Sequence, residues 1–236
     1  MKVLGVIPAR KGSKGIKRKN IKQLYDKPLI DFTFELVDSL SNIDEIFLTT
    51  DDEDVIELSG KYNRIKSPFK RPASLSKDTT SMAEVVDHLL KYLINIDKTF
   101  DYIVLFQPTT PFRSASEIEG MINFTIDNKL DSCVAVSPVW HHPSEYISIK
   151  NKKIDYILDP STAKRRQDYK KIYFITGAAY VAKWSFFIRE KAFFNKESST
   201  YELSESSMID IDTDFNFNIA EGYLRQLRSK NIFEYK

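Results

Sequence analysis

Cysteine and histidine are scarce in this chain of 236 residues. Its single cysteine, Cys133, excludes an internal disulfide framework. Cys133 lies in the apolar run of residues 132–139, which predicts a thiol buried in the core. Of the three histidines, His88 falls on a predicted helix, and adjacent imidazoles such as His141 and His142 rarely converge on one metal ion. We therefore expect a reducing, cytoplasmic setting and no zinc chemistry.

Long apolar runs are also missing. No stretch approaches the ~18 uninterrupted apolar residues of a membrane-spanning helix. The N-terminal run of residues 3–7 stops at Pro8 and Arg10, and is too short for the core of a signal peptide. With 42% hydrophobic and 29% charged residues, the composition is that of a globular protein with a full core. We expect no membrane partner.

Positive charge is concentrated instead of spread. Seven of the 35 basic residues lie within residues 10–22, which contain no acid, although the net formal charge is only +2. A nucleic-acid-binding protein usually carries its basic residues along a whole face. One basic loop is better suited to a small anionic substrate, so we expect no nucleic-acid partner.

The basic loop follows a short apolar strand in the segment VIPARKGSKGIKRKN, residues 6–20. Gly12 and Gly15 leave backbone N–H groups open to a ligand, and a phosphate needs such donors together with cations. The spacing fits neither the Walker loop nor the GxGxxG dinucleotide fingerprint, which favours a nucleoside triphosphate over NAD. A flexible basic turn remains the alternative. The candidate phosphate ligands are Arg10, Ser13, Lys14 and Lys19.

Strand and helix patterns alternate along most of the chain. We predict strands at residues 2–8, 45–50, 102–106 and 131–139, and helices at residues 28–40 and 52–62. Capping signals at Ser81 with Glu84, and at Ser114 with Glu117, predict two more helices. The apolar stripe that begins at Met82 is predicted to be core. This order predicts an α/β fold with a mostly parallel sheet, helices on both faces and a ligand site at the carboxyl ends of the strands.

The alternation is interrupted by a polar, basic stretch at residues 140–171, before apolar residues resume at 172–183. We interpret residues 1–236 as one domain and residues 140–171 as an insertion that projects from the sheet. An excursion on a monomer and a dimerisation arm are both compatible with this composition.

Two acidic residues near the C-terminus have the spacing of metal ligands. Asp210 and Asp212 lie two apart in MIDIDTD, so that in an extended segment both carboxylates leave the same side. Hard oxygen ligands suit Mg²⁺, which takes one or two carboxylates and completes its shell with phosphate oxygens and water. Asp214 is expected at the start of the next helix. A solvated acidic turn is the alternative for an isolated pair.

In combination, these features resemble the acylneuraminate cytidylyltransferases, also called CMP-sialic acid synthetases, a family that includes CMP-nonulosonate synthetases. The resemblance covers nearly the whole chain, and five segments carry it in order. They are IPARKGSKGI with Lys19 and Asn20, Arg71-Pro72 with Lys77 to Thr79, QPTTPFR at residues 107–113, RRQD at 165–168, and IDIDT at 209–213.

The resemblance implies a Rossmann-like nucleotidyltransferase fold, commonly a homodimer in which the insertion of each subunit reaches its partner. It also implies a reaction in which the anomeric hydroxyl of a nine-carbon keto-acid sugar attacks the α-phosphate of CTP and displaces pyrophosphate. The protein then contributes mainly positioning and charge neutralisation.

The resemblance assigns roles residue by residue. Asp210 and Asp212 would hold Mg²⁺, and Asp212 would alternatively take the proton of the hydroxyl. The positions matched to catalysis are Arg10, Lys19 and Asp212. The positions matched to the nucleotide are Ala9, Arg10, Gly12, Ser13, Lys19, Asn20 and Arg71. The positions matched to the sugar are Gln107, Arg165, Gln167, Tyr180, Phe193 and Phe194.

One departure from the family pattern, Lys11 in place of a frequent glycine, lies in the nucleotide loop and should leave CTP binding intact, and two others lie on the sugar side. Thr176-Gly177 replaces a frequent Asn-Gly, and HHPSE at residues 141–145 lacks a frequent lysine. They leave N-acetylneuraminic, legionaminic, pseudaminic and other nonulosonic acids open as substrates. A 3-deoxy-manno-octulosonate enzyme and a non-catalytic nucleotide-sugar sensor are the alternative functions. Packing in the core is the alternative for Phe193 and Phe194, and a structural pair with an acid is the alternative for Arg113.

Overall fold

A computed structural model describes residues 1–158 and 170–230. Six helices occur in these ranges: α1 (Leu29–Ser39), α2 (Glu53–Ser59), α3 (Met82–Asn95), α4 (Ala115–Asp127), α5 (Trp184–Glu190) and α6 (Asp214–Ser229). The strands in these ranges are β1 (Val3–Ala9), β2 (Gln23–Leu24), β3 (Lys27–Pro28), β4 (Glu45–Thr50), β5 (Ile65–Lys66), β6 (Tyr102–Leu105), β7 (Ser132–Pro138), β8 (Ile147–Lys150), β9 (Lys153–Tyr156), β10 (Tyr173–Lys183) and β11 (Ser199–Glu202).

Seven of these strands form one sheet in the order β11-β7-β10-β6-β1-β4-β5. Every neighbouring pair is parallel except the two that involve β10, which runs antiparallel to β6 and β7. The predicted mostly parallel sheet is therefore confirmed. The chain leaves β1 for β4 on one side and later returns to β6 on the other. Such a reversal opens a crevice at the carboxyl end of β1.

Helices cover both faces of the sheet, as the alternation predicted. Val3 and Ile7 of β1 pack into a core that includes α1, α2 and α4, whereas Leu4 and Val6 pack against α3 and α5. Successive side chains of a strand leave opposite faces, so β1 contributes to both cores. Cys133 is fully buried, which confirms its predicted place in the core.

Two of the predicted helix starts differ in their capping. Ser81 and Glu84 form the expected capping box on α3. At α4 the prediction of a cap is wrong: Ser114 makes no capping hydrogen bond, and the carboxylate of Glu117 accepts from the backbone N–H of Ser204 at 2.8 Å. The acid that would have completed the box holds a neighbouring loop instead.

The predicted insertion contains a separate two-stranded ribbon, β8 paired with β9. Its register places four apolar side chains on one face, all exposed by 42% to 77%. They are Ile147, Ile149, Ile154 and Tyr156. The other face carries polar residues, among them Ser148 and Asp155. Residues 159–169 lie outside the described residues.

Arg113 is buried, and the expectation of an acidic partner for it is wrong. Its guanidinium donates to the carbonyl oxygen of Ala178 at 3.1 Å and to the hydroxyl of Thr33. Burial lowers the pKa of the Arg113 guanidinium. The residue thereby ties the loop after β6 to β10. No helix in residues 1–158 and 170–230 is long and apolar enough to cross a membrane.

Candidate active site

A cavity of about 520 Å³ opens at the carboxyl ends of β1 and β6. Four separate parts of the chain form its walls: the basic loop after β1, the segment that leads into α3, the segment after β6, and the acidic segment before α6. The lining includes Ala9, Arg10, Ser13, Lys14, Gly15, Lys19, Asn20, Arg71, Lys77, Asp78, Met82, Val85, Gln107, Thr109, Asp210 and Asp212. Distant sequence segments thus meet where the topology predicts a ligand site.

Two hydrogen bonds between backbone and side-chain groups hold the basic loop in place. The side-chain amide of Asn20 donates to the carbonyl oxygen of Arg10 at 3.0 Å. The backbone N–H of Lys11 donates to Oδ1 of Asp51, at the end of β4, at 2.9 Å. These bonds fix the two ends of the loop, so that the side chain of Arg10 is directed toward the cavity wall opposite.

The two loop glycines have different surroundings. A Cβ atom on Gly15 would lie 1.9 Å from the carbonyl oxygen of Asp212, whereas nothing lies within 4 Å of one on Gly12. Only glycine permits such a close approach of two backbones. Gly15 is therefore needed because the basic loop packs directly on the acidic segment, and Gly12, which does not line the cavity, is sterically free.

Lys19 connects the same two segments through its side chain. Its Nζ atom donates to the carbonyl oxygen of Ile211 at 2.6 Å and to Oδ1 of Asp212 at 2.8 Å. The lysine side chain is only 11% exposed, while that of Asp212 is 71% exposed. One end of the ion pair is thus fixed within the protein and the other faces the cavity.

Asp210 is the more buried member of the acidic pair. Burial raises the pKa of its carboxyl, and the neighbouring charge of Asp212 adds to that effect, opposed by Lys19 and a hydrogen bond from Thr109. Its Oδ1 atom is buried without a hydrogen-bond partner among the described residues. A backbone bond of 2.8 Å from Ile211 to Thr109 fixes the segment.

This arrangement fits a magnesium ion. An unpaired buried carboxylate oxygen beside a second, exposed carboxylate is an oxygen donor set of the kind Mg²⁺ accepts when substrate phosphates supply further ligands. Among residues 1–158 and 170–230, no group of three or more acidic, histidine or cysteine side chains gathers as a metal site, so the fit rests on two carboxylates and a substrate.

The opposite wall carries cations and an acid. Arg71 is buried, and its guanidinium donates to carbonyl oxygens of Ala9 at 3.1 Å and Thr49 at 3.4 Å. Burial lowers the pKa of this guanidinium, opposed by Asp51, which lies 3.6 Å away. The carboxylate of Asp78 accepts a hydrogen bond from Arg10 and lies 3.3 Å from Nζ of Lys14.

Gln107, at the far side of the cavity, lies against an irregularity in β10. The pairing of β10 with β7 shifts between Ile175 and Tyr180. Within that shift, a Cβ atom on Gly177 would lie 2.4 Å from Oε1 of Gln107. The backbone of β10 therefore sets the position of the glutamine side chain.

The predicted aromatic residues occupy two environments. Phe193 is buried in the core between Tyr180 and Phe187, with ring centroids 6.1 Å and 5.0 Å away. Phe194 is 41% exposed and stacks on Tyr180 at 6.0 Å between centroids, with the rings 16° from parallel. These three residues lie outside the cavity lining, although Asp210 is close enough to Tyr180 to raise the pKa of its hydroxyl in addition to the larger effect of burial.

Most of the predicted site residues therefore meet in one cavity, and some do not. Arg165 and Gln167 lie outside the described residues. Met82 and Val85, interpreted from the sequence as core, also line the cavity. The prediction is confirmed, because Val85 is buried in the core and Met82 packs against the same cluster. The ion pairs of Asp78 were missed, and only its position in a segment that resembles the family pointed to it.

Comparison with known proteins agrees with this geometry. The profile of the Cytidylyltransferase family matches residues 4–236. The pseudaminic acid cytidylyltransferase of Campylobacter jejuni is 31% identical over 214 residues, which cover 90% of this chain and 92% of that protein. The N-acylneuraminate cytidylyltransferase of Streptococcus agalactiae is 30% identical over 229 residues, covering 95% of this chain and 54% of the relative.

A solved structure shares the fold. The CMP:2-keto-3-deoxy-manno-octonic acid synthetase, complexed with CTP, superimposes with a TM-score of 0.67 at 15% identity and covers 96% of this chain and 99% of that one. At that identity the likeness extends to the fold alone. The sequence match over nearly the whole length, together with the cavity that joins the basic loop to the acidic pair, shows that this chain belongs to the cytidylyltransferase family.

Proposed function

We propose that this protein transfers CMP from CTP to the anomeric hydroxyl of a nonulosonic, sialic-acid-like sugar, with release of pyrophosphate. The hydroxyl oxygen forms a bond to the α-phosphorus, the bond from that phosphorus to the bridging oxygen breaks, and the hydroxyl loses its proton. The observation that carries the proposal is the meeting of Lys19 with Asp212 inside the cavity. It joins cations for a triphosphate to carboxylates for its metal.

The basic loop is proposed to hold the triphosphate. Arg10 and Lys14 face the cavity from the loop, with the hydroxyl of Ser13 between them. Cations at these positions stabilise the charge that develops on the departing pyrophosphate. Asn20 and Arg71 are buried residues that bond to backbone carbonyl oxygens and line the same cavity, and we propose that they contact the ribose and base.

Asp210 and Asp212 are the residues proposed to hold Mg²⁺. When bound, the ion would neutralise phosphate charge and lower the pKa of the attacking hydroxyl. Alternatively, Asp212, whose side chain is 71% exposed and lines the cavity, is proposed to accept the proton of the hydroxyl directly. Lys19, bonded to Asp212, orients that carboxylate.

The sugar is proposed to bind between Gln107 and the ledge formed by Tyr180 and Phe194. The amide of Gln107 supplies polar contacts, and the stacked rings supply an exposed apolar surface. Arg165 and Gln167 remain proposed sugar ligands by resemblance. Among the two relatives, one is named for pseudaminic acid and the other for N-acylneuraminate, so a nonulosonic acid is the proposed class.

A homodimer is proposed, formed through the ribbon of β8 and β9. Its apolar face carries Ile147, Ile149, Ile154 and Tyr156, and Trp140 is also 49% exposed beside it. An apolar face of a two-stranded ribbon needs a partner surface to be stable in water. Tyr173 and Phe174 at the start of β10 are exposed as well, and we propose that a second copy covers the apolar face of the ribbon.

The test is pyrophosphate release by the purified protein with CTP and Mg²⁺. N-acetylneuraminic, legionaminic, pseudaminic and 3-deoxy-manno-octulosonic acids are offered one at a time, and ATP, GTP and UTP replace CTP as controls. Release with CTP and one nonulosonic acid is expected. Release only with 3-deoxy-manno-octulosonic acid would contradict the sugar class, and CTP binding without turnover on any acid would favour a sensor.

A further inference from the structure

Asp78 faces the basic loop from the segment between Arg71 and α3. Its carboxylate accepts a hydrogen bond from Nη1 of Arg10, and its second oxygen lies 3.3 Å from Nζ of Lys14. All three residues line the cavity. The hydrogen bond from Arg10 lowers the pKa of the Asp78 carboxyl, so it is ionised at neutral pH. In the protein without ligand, the carboxylate of Asp78 is therefore already paired with Arg10 and Lys14.

The fold does not depend on this ion pair. The segment of Asp78 is fixed at one end by the buried guanidinium of Arg71 and at the other by the capping box of Ser81. The basic loop is fixed by the side chains of Asn20 and Asp51. Both walls thus remain in place when the pair opens.

The pair is also accessible to exchange. The side chains of Arg10, Asp78 and Lys14 are 34%, 41% and 76% exposed, so that solvent screens their attraction. By contrast, other cations of the loop pair outside the cavity: Arg18 with Asp54, and Lys22 with Asp214. Asp78, like Asp212 with Lys19, pairs with loop cations inside the cavity, and its two partners are donors that the entering anion needs.

We propose that Asp78 occupies the place of a substrate phosphate: in the nucleotide-free protein its carboxylate holds Arg10 and Lys14, and an entering triphosphate displaces it. This inference rests on the proposed function and adds an affinity-determining residue to it. The same competition operates in reverse after the reaction, because Asp78 recaptures both cations as pyrophosphate leaves. Asp78 acts through Arg10 and Lys14 without touching the reacting atoms.

The test compares anion binding by the wild type and the Asp78→Asn variant, measured by calorimetric titration with inorganic pyrophosphate and, separately, with CTP. Removal of the competing charge is expected to tighten both by roughly threefold to tenfold. Product inhibition by pyrophosphate is expected to strengthen by a similar factor. Asp78→Glu keeps the charge and is expected to bind as the wild type does.

Asp54→Asn is the matched control, because it removes one acid that pairs with the same loop outside the cavity. Unchanged or weaker binding by Asp78→Asn, with an unfolding midpoint like that of the wild type, would overturn the inference alone. Equal tightening by Asp54→Asn would also overturn it, since the effect would then be one of net charge. A wild type that binds neither anion would contradict the proposed function as well.

Discussion

The Nζ atom of Lys19 lies 2.8 Å from Oδ1 of Asp212, although 193 positions separate the two residues in the sequence. The same atom also donates to the carbonyl oxygen of Ile211. The lysine side chain is only 11% exposed, so its ammonium group has little room to move when a substrate binds. It therefore sets where the exposed carboxylate points. This pair couples the loop proposed for the triphosphate to the residues proposed for its metal.

Asp212→Asn is expected to lower the rate of pyrophosphate release by ~100-fold or more while leaving the fold intact, because the amide still accepts from Lys19 but loses the charge that a cation needs. Asp214→Asn is the matched control. Its side chain is equally exposed, at 71%, and also pairs with a lysine, but it does not line the cavity. An active Asp212→Asn enzyme would refute the metal role.

Gly15→Ala is expected to lower the free energy of unfolding by about 1 to 3 kcal/mol, because its Cβ atom would displace the backbone of Asp212. Gly12→Ala meets no atom within 4 Å and is expected to stay within about 0.5 kcal/mol of the wild type. Urea unfolding measures both. Equal stability of the two variants would show that the loop does not pack on the acidic segment.

Gly177→Ala is expected to raise the KM for the sugar by ~10-fold or more, because the new methyl group would displace the amide of Gln107. The affinity for CTP is expected to stay unchanged, since Gly177 lies away from the basic loop. Steady-state kinetics with each substrate varied in turn separate the two effects. Gly222→Ala, which meets no atom within 4 Å, is the control. A higher KM for CTP alone would contradict the assignment of Gln107 to the sugar.

Ile149→Lys is expected to convert a dimer into monomers, because it places a charge in the apolar face of the β8 and β9 ribbon, where Ile149 is 77% exposed. Ser148→Lys adds the same charge on the opposite face, beside Asp155, and is expected to leave the dimer intact. Sedimentation velocity distinguishes the two species. A monomeric wild type would remove the proposed role of the ribbon.

Periodicity and strand order predicted the sheet correctly because burial of apolar side chains follows the repeat of each element. The position of the basic loop at the sheet edge could also be anticipated from strand order, whereas its meeting with the acidic pair was implied only by the family resemblance. What the sequence concealed were relationships across the cavity. Asp78 has no local feature that reveals its contact with Arg10, and Gly177 is recognisable only once Gln107 is known to lie against it.

At Ser114, a local sequence pattern predicted a contact that the structure does not contain. A local capping pattern was present, but Glu117 bonds to Ser204 instead. Tertiary contacts therefore override a motif whose contribution is only about 1 kcal/mol. Buried positions such as Arg113, which bonds to a carbonyl and a hydroxyl, were likewise beyond prediction from residue type, because an arginine in a sequence indicates an acid and gives no sign of other partners.

The antiparallel course of β10 has a consequence for how such enzymes diversify. The chain leaves β7 at the carboxyl edge of the sheet and re-enters β10 at that same edge. Among the described residues between the two strands, 139–158 and 170–172, β8 and β9 form a separate ribbon and add no strand to the central sheet. We therefore expect that a segment joining these two strand ends can be exchanged between relatives without rebuilding the central sheet, because both ends lie at one edge.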